Sequence, residues 1–196
     1  MSVFAGARAS RPHRGWHERG YLPHFDDGAV VQTITFRLAD SLPRAVYESI
    51  AAASSNYIDQ WTQLEDIIDR GRGSCLLSAM QNASIVREAL FHFDGVRYLL
   101  LKWVVMPNHV HVMIEQCNGF PLDGIIHSWK SFTAKAINSL ENRCGRLWAA
   151  DYFDRYIRDS EHYRNAACYI EDNPVKAKLA TKPEYWPYSS AYERSS

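Results

Sequence analysis

An α+β sandwich, with a central antiparallel sheet of about four strands and helices packed on it, is predicted by three observations. Apolar residues recur at spacings of three and four in long stretches that alternate with short β-branched and aromatic runs. Two of these runs, 97–106 and 109–116, are separated only by Pro107-Asn108, as in a hairpin. The 196 residues, 46% hydrophobic and 22% charged, suffice for one core, and no repeat or low-complexity linker divides them.

The elements follow in order. VVQTITF (30–36) has the composition of a strand. Pro43 opens a stretch that reads as one helix to about Arg70, ended by Gly71 and Gly73. A second helix, about 78–93, stops at Asp94-Gly95. RYLLLKWVVM (97–106) is too continuously apolar for a surface strand and is placed centrally in the sheet. After a tight turn or bulge at Pro107-Asn108, HVHVMIEQ (109–116) alternates as its antiparallel partner. Pro121 to about Asn142 is a helix with Ile125, Ile126, Trp129, Phe132, Thr133, Ala136, Ile137 and Leu140 on one face. Leu147 to Ile157 reads as a strand, and Asp159 or Ser160 caps a last helix running to the Asn173-Pro174 break. The order β-α-α-β-β-α-β-α around a hairpin is that of a ferredoxin-like (RRM-like) sandwich with helices on one face of the sheet. A basic arm (1–25), one domain (26–182) and an aromatic-rich, non-regular tail (183–196) are the expected organisation.

Lys plus Arg and Asp plus Glu number 22 each, so net charge argues neither for nucleic acid nor against it. Its distribution is uneven: 1–24 holds four Arg and three His against Glu18, whereas 40–72 holds six acids against three Arg. Four scattered cysteines without a CxxC pair exclude a readable zinc knuckle or redox motif and fit reduced cytosolic thiols. Arg and Pro stand where a signal peptide needs an apolar run, and no stretch is long enough to span a membrane, so a cytoplasmic protein is expected.

His109 and His111, two apart on a strand, point to one face, where two imidazoles begin a divalent-metal site. The alternative for an isolated HxH is two histidines on a half-exposed strand. Tyr169 and Asn173 are four apart on the last helix and share a face. A tyrosine becomes a useful nucleophile where a cation assists it, and an Asn carbonyl can complete a hard-metal shell. The alternatives are a packing tyrosine and a helix-stopping Asn-Pro. Together, the four residues read as a metal site in which the ion polarises a scissile phosphate and Tyr169 attacks it. Tyr152 and Tyr156, also four apart, lack a metal-ligand type at matching spacing; packing is their expected role, with Asp154, Arg155 and Arg158 as a charged rim. Arg14, Trp16, Arg19 and Tyr21 in the arm combine cations with stacking surfaces, and Lys130 and Arg158 are candidate phosphate contacts. Solvated charge on a flexible arm is the alternative reading.

The stretches WVVMPNHVHVMIE (103–115), WKSFTAKAIN (129–138), YFDRYIRD (152–159) and YIEDNPVKAKL (169–179), with RGYLPHF and TFRLADSLP nearer the N-terminus, resemble the REP-associated tyrosine transposases, single-tyrosine members of the HUH group (His, hydrophobic, His). The resemblance spans about residues 14–192. It implies an HUH nuclease fold, a Mg²⁺ or Mn²⁺ cofactor, and cleavage and rejoining of single-stranded DNA at hairpins of repetitive extragenic palindromes. His109 and His111 match the HUH pair, Tyr169 the nucleophile that forms a covalent 5′-phosphotyrosine, and Asn173 the polar metal ligand. Ala177-Lys178 stands where the family commonly has a Gly. A monomer is favoured over a dimer, in a bacterial, nucleoid-associated setting without membrane partners. Two other readings stand beside this one: a hairpin-binding protein that no longer cuts, and a zinc hydrolase, for which no third strong ligand or HExxH helix is evident.

Overall fold

A computed structural model describes residues 16–18, 23–25, 30–53 and 57–195. Arg14, Arg19 and Tyr21 lie outside the described residues. So does the side chain of Trp16, whose backbone forms strand β1 (Trp16–Glu18), antiparallel to β2 (Pro23–Phe25).

The main sheet holds β3 (Val31–Arg37), β4 (Tyr98–Val105), β5 (His109–Gln116) and β6 (Phe153–Tyr156) in the order β4-β5-β3-β6, with every neighbouring pair antiparallel. Helices α1 (Arg44–Ala53), α2 (Tyr57–Asp69) and α3 (Met80–Phe91) connect β3 to β4, α4 (Leu122–Leu140) connects β5 to β6, and α5 (Ser160–Lys176) and α6 (Ser190–Glu193) follow. This is the predicted ferredoxin-like arrangement. The strict alternation of β5 sorts its side chains: Val110, Val112 and Ile114 join the main core with α3 and α4, while Met113 packs with Ala167 and Ile170 of α5. The two histidines share the Met113 face.

Trp129 is the largest fully buried side chain of the main core. Its indole N–H donates to Tyr98 Oη at 2.8 Å, and that hydroxyl donates to the Leu90 carbonyl at 2.7 Å. Both polar tips are satisfied inside an apolar layer, and burial pushes the Tyr98 phenol up to about 12. Trp129→Ala should cost about 3–5 kcal/mol, read as a shift of the urea midpoint, because it opens a cavity and removes the donor to the Tyr98 hydroxyl.

Several sequence expectations are corrected. β4 is an edge strand, not a central one. Its continuous apolar character has another cause: both faces are covered, and the C-terminal segment lies along its free edge. Val105 N–H donates to the Tyr188 carbonyl, Trp186 Nε1 donates to the Val105 carbonyl (both 2.9 Å), and Trp103 N–H donates to Ser190 Oγ at 3.3 Å. The tail is therefore part of the packed structure, with a 3₁₀ turn (Pro183–Tyr185) and α6 in place of a non-regular wrap. Helices occupy both faces of the sheet, since α5 packs opposite α3 and α4.

The single helix expected over 43–70 is present as α1 and α2. Ile50 and Leu64 belong to one small buried cluster, whereas fourteen residues of continuous helix would hold them about 21 Å apart. The strand read over 147–157 is confined to β6. Phe132 and Leu140 are exposed, so the buried face of α4 is narrower than its apolar pattern. Asp154 is buried and does not contribute to a charged rim.

Asn173-Pro174 does not end α5. Proline removes only the bond to the Ile170 carbonyl in what is already the last turn, and the helix stops after Lys176, where Lys178 turns left-handed (φ 59°). Asp159 is the N-cap, accepting from His162 N–H at 2.8 Å.

Candidate active site

Two residues on β5, two on α5 and one at the end of α2 meet on the α5 face of the sheet. His109 and His111 are 0% and 3% exposed, with their Nε2 atoms 3.0 Å apart. Asn108 Nδ2 donates to the Ile68 and Arg72 carbonyls, both at 3.0 Å, so its Oδ1 must be the acceptor facing His109 Nδ1 at 2.7 Å. That contact puts the proton of neutral His109 on Nδ1 and leaves Nε2 with a bare lone pair. Thr35 Oγ1 lies 2.8 Å from His111 Nδ1, and Asn173 Nδ2 lies 3.2 Å from His111 Nε2, which sets the second lone pair in the same direction.

Asp69 supplies the negative charge. Its Oδ1 is 3.3 Å from His109 Nε2 and 3.8 Å from His111 Nε2, and its Oδ2 accepts from Tyr169 Oη at 3.2 Å and Asn173 Nδ2 at 3.4 Å. Burial opposes ionisation of Asp69, but where the imidazole of His109 or His111 is protonated its N–H and charge prevail and hold the carboxyl well below the usual range. The sequence reading missed this residue. The signal available was Glu65-Asp69, like charges at i and i+4, an arrangement that disfavours an isolated helix unless something opposes it.

The position of Asp69 follows from the loop after α2. Asn108 grips the carbonyls at the end of that helix, so one side chain orients His109 and docks the segment bearing Asp69. Gly73 is needed nearby: its φ is +91°, and a Cβ there would meet the Asp40 carbonyl oxygen at 2.7 Å.

The described residues fit a divalent ion. One ligand-type atom from each of Asp69, His109 and His111 lies within 4.8 Å of the others. Asp69 Oδ1 and Asn173 Oδ1 are buried with no hydrogen-bond donor. Converging acceptors, two imidazole nitrogens beside one carboxylate oxygen and one amide oxygen that lack donors, are what a cation satisfies.

Tyr169 stands against this cluster, its ring 5.4 Å from that of His111 at 78°, with Lys176 Nζ 4.4 Å from its centroid. Burial raises its pKa strongly, and the charges of Glu65 and Asp69 add to the effect, so the phenol is protonated at neutral pH. Burial also lowers His109 to about 4. The unfolded chain takes up this proton near pH 6.5, so the folded state is fully favoured above that value and loses stability as pH falls towards 4. Urea unfolding between pH 7 and pH 4 should register a loss on the order of 3 kcal/mol from this group; the low Asp69 pKa adds a loss of the same sign at lower pH.

The other candidates lie elsewhere. Lys130 is held inside, donating to the Ala149, Ala150 and Asp151 carbonyls at 2.7, 2.9 and 3.3 Å, and burial lowers it to about 8. It bridges α4 to the strand β6 approach and is not presented to a phosphate. Arg158 is exposed just before α5. Tyr152 packs against the main core.

Three comparisons bear on this geometry. Residues 85–173 match the family described as "Transposase IS200 like". A REP-associated tyrosine transposase of Escherichia coli (strain K12) is 26% identical over 137 residues, 68% of this chain and 78% of the relative. A solved structure of a REP-associated tyrosine transposase bound to a REP hairpin superposes with a TM-score of 0.63 at 19% identity, covering 89% of this chain and 84% of that one, a likeness of fold. The matched segment contains both histidines, Tyr169 and Asn173, and the chain is similar there to the IS200-like transposases and, over more of its length, to the REP-associated tyrosine transposases.

Proposed function

We propose that this protein is a metal-dependent single-stranded DNA endonuclease and strand transferase acting at REP-type palindromic hairpins through a covalent 5′-phosphotyrosine. The observation that carries the reading is the hydroxyl of Tyr169 at 3.2 Å from Asp69 Oδ2, beside two inward-facing imidazole lone pairs. His109, His111 and Asp69 would hold Mg²⁺ or Mn²⁺, with Asn173 contributing Oδ1 after a half-turn of its amide. The ion, when bound, supplies positive charge that offsets Asp69 and polarises a non-bridging phosphate oxygen.

The remaining work belongs to the chain. Asn108 and Thr35 fix both rings, so that the Nε2 atoms stay aimed at one point. Tyr169 Oη forms a bond to phosphorus as its proton passes to Asp69 Oδ2, and the bond from phosphorus to the 3′ oxygen breaks, that oxygen taking a proton from solvent. The products are a 5′-phosphotyrosine and a 3′ hydroxyl, and the reverse attack by a 3′ hydroxyl rejoins strands. The arm (1–25), the domain (26–182) and the tail (183–196) are proposed to act together, with Arg14, Trp16, Arg19, Tyr21 and Arg158 contacting DNA. A monomer at the bacterial nucleoid is the proposed state, supported by the β4 edge being hydrogen-bonded to the chain's own tail. Among the described residues, no helix is long and apolar enough to cross a membrane.

The test is incubation with labelled single-stranded hairpins carrying flanks, with and without Mg²⁺ or Mn²⁺, resolved on a denaturing protein gel. A metal-dependent covalent band is expected. Hairpins bound but uncut across several native palindromes would favour a binding protein without the chemistry.

A further inference from the structure

Tyr169 has two neighbours one turn away along α5. Asn173 faces the histidines and is fully buried, as is His109, so that side of the tyrosine is closed. Asn165, on the other side, lines a cleft of about 240 Å³ between α5 and the β3–β6 pair. Tyr169 and His111 form the wall this cleft shares with the candidate metal site.

The cleft combines apolar Ile34, Phe153 and Ile170 with polar Arg155, His162 and Asn165, and Glu65 also lines it. Asn165 and Arg155 are exposed, and neither the Asn165 amide nor the Arg155 guanidinium has a hydrogen-bond or ion-pair partner among the described residues. His162 Nδ1 accepts from Arg158 N–H at 3.3 Å, which leaves Nε2 for another partner. One carboxamide able to donate and accept, one imidazole nitrogen and one guanidinium, set over an apolar floor, make a donor set for a base edge and a phosphate. The volume lies below the roughly 300 Å³ at which pockets for drug-sized ligands begin, which suits one base with its sugar and phosphate left at the rim.

The geometry points to a single-nucleotide subsite: the unpaired nucleotide next to the phosphate attacked by Tyr169 enters this cleft, Asn165 and His162 read its base, and Arg155 holds its backbone. This rests on the proposed strand-transfer reading, because a phosphate at Tyr169 must place one flanking nucleotide on the open side.

The test uses the full chain and hairpin oligonucleotides drawn from palindromes of the source genome. Each flank position carries in turn the four bases and an abasic residue. Affinity is measured with Tyr169→Phe, which separates binding from chemistry, and adduct yield with Tyr169 present. One flank position is expected to discriminate among bases by roughly tenfold. Asn165→Ala should reduce that to below about threefold, and His162→Ala should shift the preferred base, with stem-only affinity and melting temperature as in the parent. Unaltered base preference in Asn165→Ala, or abasic residues bound as tightly as bases at every position, would overturn the subsite. Discrimination without any adduct would leave the subsite standing and remove the chemistry; adducts whose base preference ignores Asn165→Ala would do the reverse.

Discussion

Tyr169→Phe is expected to abolish the covalent protein–DNA adduct and to lower strand cleavage by on the order of a thousandfold or more, while hairpin affinity stays close to that of the parent. The substitution removes one oxygen and keeps the ring against His111, so the packing around α5 persists. The lost hydrogen bond to Asp69 Oδ2 is worth only about 1 kcal/mol of net stability. The protein should therefore fold, bind and fail to react, a combination that separates a nucleophile from a packing residue. An adduct persisting in this variant would move the nucleophile elsewhere, with Tyr152 and Tyr156 first to be examined by peptide mapping.

The second large effect is expected at the metal ligands. His109→Ala removes an inward lone pair and leaves Asn108 Oδ1 without its buried partner, so both metal response and cleavage should be lost. Part of that loss is destabilisation, and Asp69→Asn separates the two. It keeps the shape while removing the charge, and should weaken Mn²⁺ binding by at least about tenfold to a hundredfold, as removing even an outer-shell partner does. Titration calorimetry of the free protein with Mn²⁺ reads this without DNA. Unchanged Mn²⁺ affinity in both variants would sink the metal assignment.

What could be read from the sequence, and what could not, divides along the range of the interactions involved. His109 and His111 share a face because strands have a period of two, and Tyr169 and Asn173 because four residues make about one helical turn; both facts are local. Asp69 escaped because its one local mark, the like-charge pair with Glu65, is faint among the six acids of the 40–72 stretch. Its burial arises where α2 docks, through Asn108, at residues about 40 positions away. The placement of β4 failed for the same reason: an apolar run reports that a strand is covered, not whether a strand or a tail covers its edge. Lys130 reads as a candidate phosphate contact in the sequence, and only the return of the chain at 149–151 supplies the carbonyls that hold it.

The gathering of the site from three distant pieces of chain has a kinetic consequence. The histidines sit on a hairpin whose strands are joined by three residues, and such a hairpin closes on a microsecond timescale. Asp69 and Tyr169, by contrast, are 100 positions apart, so their contact waits on two long loop closures. During folding the chain therefore passes through forms in which paired imidazoles exist before their carboxylate and tyrosine arrive. On the proposed reading, affinity for a cation and reactivity towards DNA would be acquired at separate times, and an incompletely folded chain would hold an ion before it could nick a strand.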